Sequence, residues 1–217
     1  MNSPKTYPPA RIIGKNALSV TGEMPDIGLY ESTLERDLME MLRFDQGVLR
    51  VSPQPLKIEF LGHDGQPKVY FPDGLIEFKP ELGMRPILYE VKHRQDFRKN
   101  WKVLIPKFRA AKRYCANHGW QFEVYTEREI RTPYLNNVKF LYPYRERAVP
   151  EPIASWILQT LSDLIEADPD LLLCALCKDK SNRAELIPAI WHLVATDLID
   201  CDLSKPLTMR SKISAVR

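Results

Sequence analysis

Asp73, Glu90 and Lys92 are the residues of this sequence whose types and spacing could do chemistry. Two carboxylates and a lysine on neighbouring strands suit phosphodiester hydrolysis. That reaction needs a nucleophilic water, in-line geometry and cations that stabilise charge on the attacking and leaving oxygens. Hard oxygen ligands, carboxylates above all, hold Mg²⁺. Residues two apart in a strand point to one face, so Glu90 and Lys92 project together, about 7 Å apart along the backbone. Val91 points into the core between them and can lend its backbone carbonyl as a ligand. Asp73 falls in the preceding strand of an antiparallel pair. Neighbouring strands lie about 4.8 Å apart, so Asp73 and Glu90 can share one cation. Lys92 would then orient the attacking water or help deprotonate it. The rival reading is a β-hairpin with charges on its rim, because carboxylate-x-lysine pairs are common on solvated faces.

Three features of context favour chemistry. The cluster sits at a strand-to-helix transition, an apolar strand (87–92) carries it, and a basic segment follows at once. In that segment His93, Arg94, Arg98, Lys99 and Lys102 could contact phosphates. A solvated charged loop is the alternative, which Asp96 does not exclude. Glu35 can supply a further carboxylate, directly or through water. It is also the natural capping-box partner of Ser32, and Glu31, one turn earlier, competes for the same chemical role.

The elements that must position these residues follow from periodicity. Residues 1–30 are polar and rich in Pro and Gly, and read as an arm. Over 31–44, Leu34, Leu38, Met41 and Leu42 fall on one helical face. The alternation of Leu56, Ile58 and Phe60 predicts a strand over 54–60. Turn residues 63–66 separate it from a second strand over 69–78, and 87–92 forms a third. Pro106 and Gly119 can bound a helix, and 121–125 is a further strand. Helix, three strands, helix and strand make an α/β layered domain.

A charged, Pro-punctuated stretch at 146–152 reads as a linker. Beyond it, 153–166, 169–177 and 183–195 read as helices, followed by short strands at 198–203 and 211–216. Three helices and a hairpin are the winged-helix order. Cys174 and Cys177 have zinc-like spacing, with His192 and Cys201 as conceivable partners, but buried helical thiols are the simpler expectation. Core packing is the expectation for Trp101, Trp120 and Trp156.

Composition narrows the function classes. With 44% hydrophobic and 27% charged residues the chain reads as a soluble globular protein. It has no apolar run of membrane-spanning length and no signal-peptide core. Four cysteines without export signals suit a reducing, cytoplasmic setting. The net charge of +3 is unevenly divided. Residues 151–217 hold seven Lys/Arg against ten Asp/Glu, and 1–150 hold 24 against 18. The basic part suits a polyanion and the acidic part a protein partner.

Longer blocks carry a resemblance. They are 11–15 with Gly22, 30–38, 42–45, Gln54-Pro55, 71–73, 89–92 and 124–131. Together they resemble the TnsA endonuclease subunit of heteromeric bacterial transposases, strongly over the first two-thirds of the chain and weakly beyond. The resemblance implies a restriction-endonuclease-like (PD-(D/E)xK) nuclease domain over 31–145. A small winged-helix-like C-terminal domain over 153–217 would dock a partner. It assigns Glu35, Asp73 and Lys92 to the site. Glu90 stands where the family also tolerates glutamine, so the metal site looks complete, and Gln54 joins the DNA-contact set. The implied activity is Mg²⁺-dependent cutting, with Mn²⁺ as a substitute, of the strand at the 5′ ends of a transposon in the bacterial cytoplasm. The implied partners are double-stranded DNA at transposon ends, an integrase-like TnsB-type transposase and a TnsC-type AAA ATPase on the C-terminal region. A stand-alone restriction or repair nuclease and a non-catalytic winged-helix regulator are the rivals.

Overall fold

The computed structural model describes residues 9–10 and 20–216, so the block at 11–15 and most of the expected arm lie outside the described residues. The chain forms two compact units, Met1–Arg131 and Thr132–Arg217.

In the first unit the described end of the arm is not irregular. β1 (Gly22–Met24) and β2 (Gly28–Tyr30) pair as an antiparallel hairpin leading into α1 (Thr33–Phe44). Leu34, Leu38 and Met39 of α1 are buried, while Met41 and Leu42 of the expected stripe are half-buried. Then follow β3 (Val48–Pro53), β4 (Ile58–Leu61), β5 (Pro67–Tyr70), β6 (Gly74–Phe78) and β7 (Ile87–Val91). α2 (Arg94–His118), β8 (Gln121–Tyr125) and the single-turn α3 (Glu127–Ile130) complete the unit.

The main sheet has the order β3-β6-β7-β8. Only the β7–β8 pair is parallel, as a helical crossover such as α2 allows. β4 and β5 form a separate antiparallel hairpin. The single strand expected over 69–78 is therefore two strands in two sheets. Pro72, which can donate nothing to a ladder, stands in the break. The strand expected over 54–60 begins only at Ile58, while β3, unread in the sequence, occupies the sheet edge.

Leu75, Leu88 and Phe122 project from one sheet face onto Ala110, Ala111 and Cys115 of α2, and Ile58, Phe60 and Tyr70 of the β4–β5 hairpin close the cluster. A fully buried Leu of this kind contributes roughly 1.5–3 kcal/mol. The alternate residues Ile76 and Tyr89 occupy the opposite face and are also buried. There Gly74 pairs with Tyr89 across β6 and β7. A Cβ on Gly74 would lie 2.3 Å from the Tyr89 hydroxyl oxygen, so the phenol rests where a side chain would be. Gly74→Ala is expected to cost about 1–3 kcal/mol of stability through overpacking, read as a lower denaturation midpoint. An unchanged midpoint would show that the phenol has another place to go.

α2 begins twelve residues before Pro106, at Arg94, rather than near the proline. Its two helical pieces join at Asn100 (φ −120°, ψ 17°) and end at Gly119, whose φ of 71° suits glycine. The basic segment is thus helical, not a loop.

The second unit starts earlier than the linker at 146–152 suggested. α4 (Pro133–Arg145) buries Leu135, Val138 and Leu141 and packs on a later helix of this unit, with Phe140 edge-on to Trp191 at 5.5 Å. It is followed by α5 (Glu151–Leu164), α6 (Pro169–Leu176), α7 (Lys180–Ala195) and an antiparallel pair, β9 (Ile199–Cys201) with β10 (Ile213–Ala215). The amide of Asn137 donates to the carbonyls of Leu203 and Lys205 and accepts from the N–H of Leu207, pinning the connection between the two strands to α4. Moving 132–150 into this unit brings in three cations and one anion. The unit then holds ten Lys/Arg against eleven Asp/Glu, and the acidic excess shrinks to −1. No described helix is long and apolar enough to cross a membrane.

Candidate active site

β6 and β7 pair so that Gly74 faces Tyr89 and Leu75 faces Leu88. Continued by one residue, that register sets Asp73 opposite Glu90 at the sheet end. The pairing holds Asp73 there through its side chain as well: Asp73 Oδ2 accepts the Val91 backbone N–H at 2.7 Å. Gln54 braces the same corner from β3, its backbone N–H on the Asp73 carbonyl at 3.0 Å.

Glu90 is 2% exposed. Its Oε2 accepts the Tyr70 hydroxyl at 2.6 Å, and its Oε1 lies 3.3 Å from Lys92 Nζ. A buried carboxylate needs such partners, since leaving its lone pairs unmet costs more than an ordinary lost hydrogen bond. Lys92 N–H donates to the Tyr125 carbonyl, so β8 fixes the backbone that carries the lysine. Lys107 of α2 lies 5.5 Å from the centre of the Tyr70 ring and adds a cation on that side.

Glu35 approaches from α1. Its Oε1 takes the Ser32 hydroxyl and its Oε2 the Glu31 N–H, both at 2.9 Å, while its own N–H donates to Ser32 Oγ. Half of the capping box anticipated from the sequence is formed: Ser32 caps the Glu35 N–H, but the Glu35 carboxylate takes the Glu31 N–H and the Ser32 hydroxyl rather than the Ser32 N–H. α1 is tied down by Arg131, whose Nε donates to Asp37 Oδ2 and whose second nitrogen reaches the Thr33 hydroxyl, each at 3.0 Å. Glu35 serves the helix end and lies beside the site at once, because its charge bears on both Asp73 and Lys92.

The electrostatics follow from burial. Asp73 keeps some exposed surface, yet protein encloses its carboxyl, and that burial pushes its pKa well above the ordinary carboxylate range. The charges of Glu90 and Glu35 push the same way, and Lys92 and the Val91 N–H oppose them. Burial also raises Glu35, against its two hydrogen bonds and Lys92. For Lys92 burial works to lower the pKa, but Asp73, Glu90 and Glu35 outweigh it and hold the group protonated. The Tyr70 phenol is driven far up, by burial first and then by Glu90, so it stays protonated as the donor to Glu90.

The structure brings Asp73, Glu90, Val91 and Lys92 together at one sheet end, with Glu35 adjoining. Among the described residues no three His, Cys, Asp or Glu side chains are already gathered as a ligand shell. The donor set still has the chemistry for a hard divalent cation: two carboxylates at the end of paired strands, each with lone pairs to spare. Gln54, which the resemblance put among the DNA contacts, is 4% exposed. Arg94, Arg98, Lys99 and Lys102 are exposed on the first turns of α2. His93 is exposed too, but its ring lies 3.5 Å from Glu127, which also accepts the Arg94 N–H and so caps α2.

Trp101 and Trp156 are 51% and 46% exposed, against the expectation of core packing, and only Trp120 joins the core. Lys102 Nζ lies 5.5 Å from the Trp101 ring. Cys174 is exposed with its Sγ 3.1 Å from Arg183, so it is not the buried thiol expected, and His192 Nδ1 is engaged with the Tyr144 carbonyl. Tyr70, Glu127 and the Asp37–Arg131 pair were not anticipated. Tyr70 carries no motif, and its link to Glu90 arises only because a separate hairpin folds against β7.

Family comparison agrees with the geometry. Residues 45–127 match the TnsA-like endonuclease N-terminal domain, a stretch that takes in Asp73, Glu90 and Lys92 and begins after α1. Residues 129–203 match the TnsA endonuclease C-terminal domain, whose start coincides closely with the boundary between the two units. No curated protein matches the sequence. Two consecutive domains of one family thus cover most of the chain, and the protein belongs to the TnsA endonuclease family.

Proposed function

We propose that the protein is the metal-dependent DNA endonuclease subunit of a cut-and-paste transposase, hydrolysing the strand at the 5′ ends of the element. The observation that carries this reading is the β6–β7 register, which puts Asp73 beside Glu90 with Lys92 on the same strand end. A mixed sheet flanked by α1 and α2, with these residues at one end, supports a restriction-endonuclease-like domain. Asp73 and Glu90 would hold Mg²⁺, or Mn²⁺ in its place, with the Val91 carbonyl as a further donor and Glu35 completing the site.

The bound cation would supply charge stabilisation for the attacking and leaving oxygens and a more acidic water. The chain's own residues do the rest. Tyr70 donates to Glu90 Oε2 and fixes that carboxylate. The Val91 N–H does the same for Asp73. Lys92, an ammonium, orients the nucleophilic water and stabilises developing negative charge rather than starting as a base. Arg94, Arg98, Lys99 and Lys102, on the helix that leaves the site, would track the phosphate backbone, with exposed Trp101 among them.

The second unit is proposed as a winged-helix-like docking module, a reading supported by its helices and terminal hairpin. Exposed Trp156, Ile165 and Leu171 suit a protein surface better than DNA. Its partners would be a TnsC-type ATPase and, within the assembly, a TnsB-type transposase in the bacterial cytoplasm. The test is strand cutting at labelled transposon ends by the complete assembly. Cutting at the 5′ ends should vanish with EDTA and return with Mg²⁺ or Mn²⁺. Undiminished cutting in EDTA would refute the cation-dependent mechanism.

A further inference from the structure

Between the β4–β5 hairpin and α2 lies a cleft of about 310 Å³. Lys68, Lys102 and Lys107 line it together with Phe60, Val69 and Val103, and the hairpin turn at 62–64 borders it. Strand register shows how a lysine comes to face it. Across β4 and β5, Ile58 pairs with Tyr70 and Phe60 with Lys68, and residues directly opposite share a face. The face that buries Ile58, Phe60 and Tyr70 therefore presents Lys68 one step nearer the turn. Its stem fills the space beside Gly62, with Cε 2.8 Å from where a Cβ would stand, and its Nζ is 2.9 Å from Asp64. On α2, Val103 and Lys107 stand one turn apart on one side. Asp64 is the one carboxylate of the lining, and Lys68 already engages it. Lys102 and Lys107 lie instead by the rings of Trp101 and Tyr70, each at 5.5 Å, and neither has an ion-pair partner among the described residues. α2 as a whole carries eight Lys/Arg against Asp96 alone. Lys107 is half-buried, and an ammonium drawn partly out of water without a counter-charge suits an anion from outside.

Tyr70 fixes where the cleft stands relative to the candidate active site. Lys107 Nζ lies by its ring, while its hydroxyl donates to Glu90 Oε2 at 2.6 Å. One phenol thus separates Lys107 from Glu90. We propose that the cleft between the β4–β5 hairpin and α2 is a DNA subsite, in which Lys68, Lys102 and Lys107 take backbone phosphates beside the one attacked at Asp73 and Glu90. The inference rests on the proposed DNA substrate and gives the basic face of α2 a second wall, the hairpin. Val69 and Val103, 50% and 55% exposed, offer apolar surface to the sugars between those phosphates. Contacts of this kind hold a strand in place and read no sequence. The hairpin that steadies Glu90 through Tyr70 would therefore also grip the substrate.

The full-length chain is titrated against a fluorescent DNA duplex in EDTA over a range of NaCl. The slope of log affinity against log salt counts the phosphates neutralised. Lys68→Gln and Lys107→Gln are each expected to raise Kd several-fold at low salt and to reduce that slope by about 1. Lys107→Arg keeps the charge beside Tyr70 and should bind like the wild type. Wild-type affinity and slope in both glutamine variants overturn the proposal, as does a wild type whose affinity does not respond to salt. A loss in Lys107→Arg as large as in Lys107→Gln also overturns it, because the fold rather than the charge would then be at fault. Strand cutting by the complete assembly is read alongside. Glutamine variants that bind duplex normally but cut poorly there would mean that the cleft holds an acidic segment of a partner protein, and the DNA subsite falls. Asp73→Ala separates this proposal from the reading it rests on, since it should still bind duplex but not cut. If it cuts, the proposed active site falls while the cleft stands. If it does not cut and the glutamine variants bind and cut normally, only the cleft falls.

Discussion

Lys92→Ala in the complete transposase is expected to lower cutting at the 5′ ends by about 10³-fold or more, while the partner transposase still joins the 3′ ends. The products would be cointegrate-like rather than simple insertions. The lysine is poorly replaced because its environment is specific. Its Nζ lies 3.3 Å from Glu90 Oε1, and Asp73, Glu90 and Glu35 together keep it charged against the pull of burial. Lys92→Arg should rescue little, since a planar fork needs different space from a compact ammonium. Resolving end-labelled products on a denaturing gel separates the two strands. Normal 5′-end cutting by Lys92→Ala would favour a non-catalytic protein on a degenerate scaffold.

Asp73→Asn should also abolish cutting, but its second effect is the more telling one: without divalent cation the variant should melt a few degrees higher than the wild type near neutral pH. The sign comes from proton linkage. The folded pKa of Asp73 is raised well above its ordinary value. Between those two values the folded state holds a proton that the unfolded chain has released, so stability falls as pH rises through that window. Above the window the fold carries an ionised carboxylate that burial and two neighbouring anions oppose. Asparagine never pays that cost. For a chain of this size each 1 kcal/mol is worth about 2–4 °C, so the gap is measurable. It should close as pH falls to about 4, where both forms are neutral. Glu35, raised for the same first reason, works in the same direction. Mg²⁺ should raise the melting temperature of the wild type and leave that of Asp73→Asn unmoved. A variant that melts lower than the wild type at high pH would contradict the account.

The centre of the site was legible because strand geometry is local. Alternation places Glu90 with Lys92 and buries Val91, and the one antiparallel pairing needed for Asp73 spans a short connection. What surrounds it depends on partners distant in sequence. Tyr70 and Asp73 lie three residues apart, yet belong to different sheets, and only the fold reveals that Tyr70 serves Glu90. Gln54, a DNA contact by the resemblance, is buried just past β3, which runs along β6. α4 escaped notice because Leu135, Phe140 and Tyr142 do not repeat on a single stripe and Pro143 sits inside it. Trp101 looked like core and is half exposed, since the helix carrying it starts earlier than Pro106 suggests. Of the two readings of Glu35, the contacts at the start of α1 realise the structural one in part, and its charge also bears on Asp73 and Lys92.

The placement of α4 sets where the polypeptide can be divided. Separation anywhere in 146–152 would leave α4 on the nuclease fragment and deprive Leu135, Val138 and Leu141 of their cover, baring an apolar strip that invites self-association. It would also free the 203–207 segment from Asn137 in the other fragment. Division between Arg131 and Thr132 leaves each hydrophobic interior whole, and Arg131 keeps its anchorage on Asp37. The natural seam of the molecule is therefore a single peptide bond between two short helices, not the proline-rich stretch that looks like a hinge.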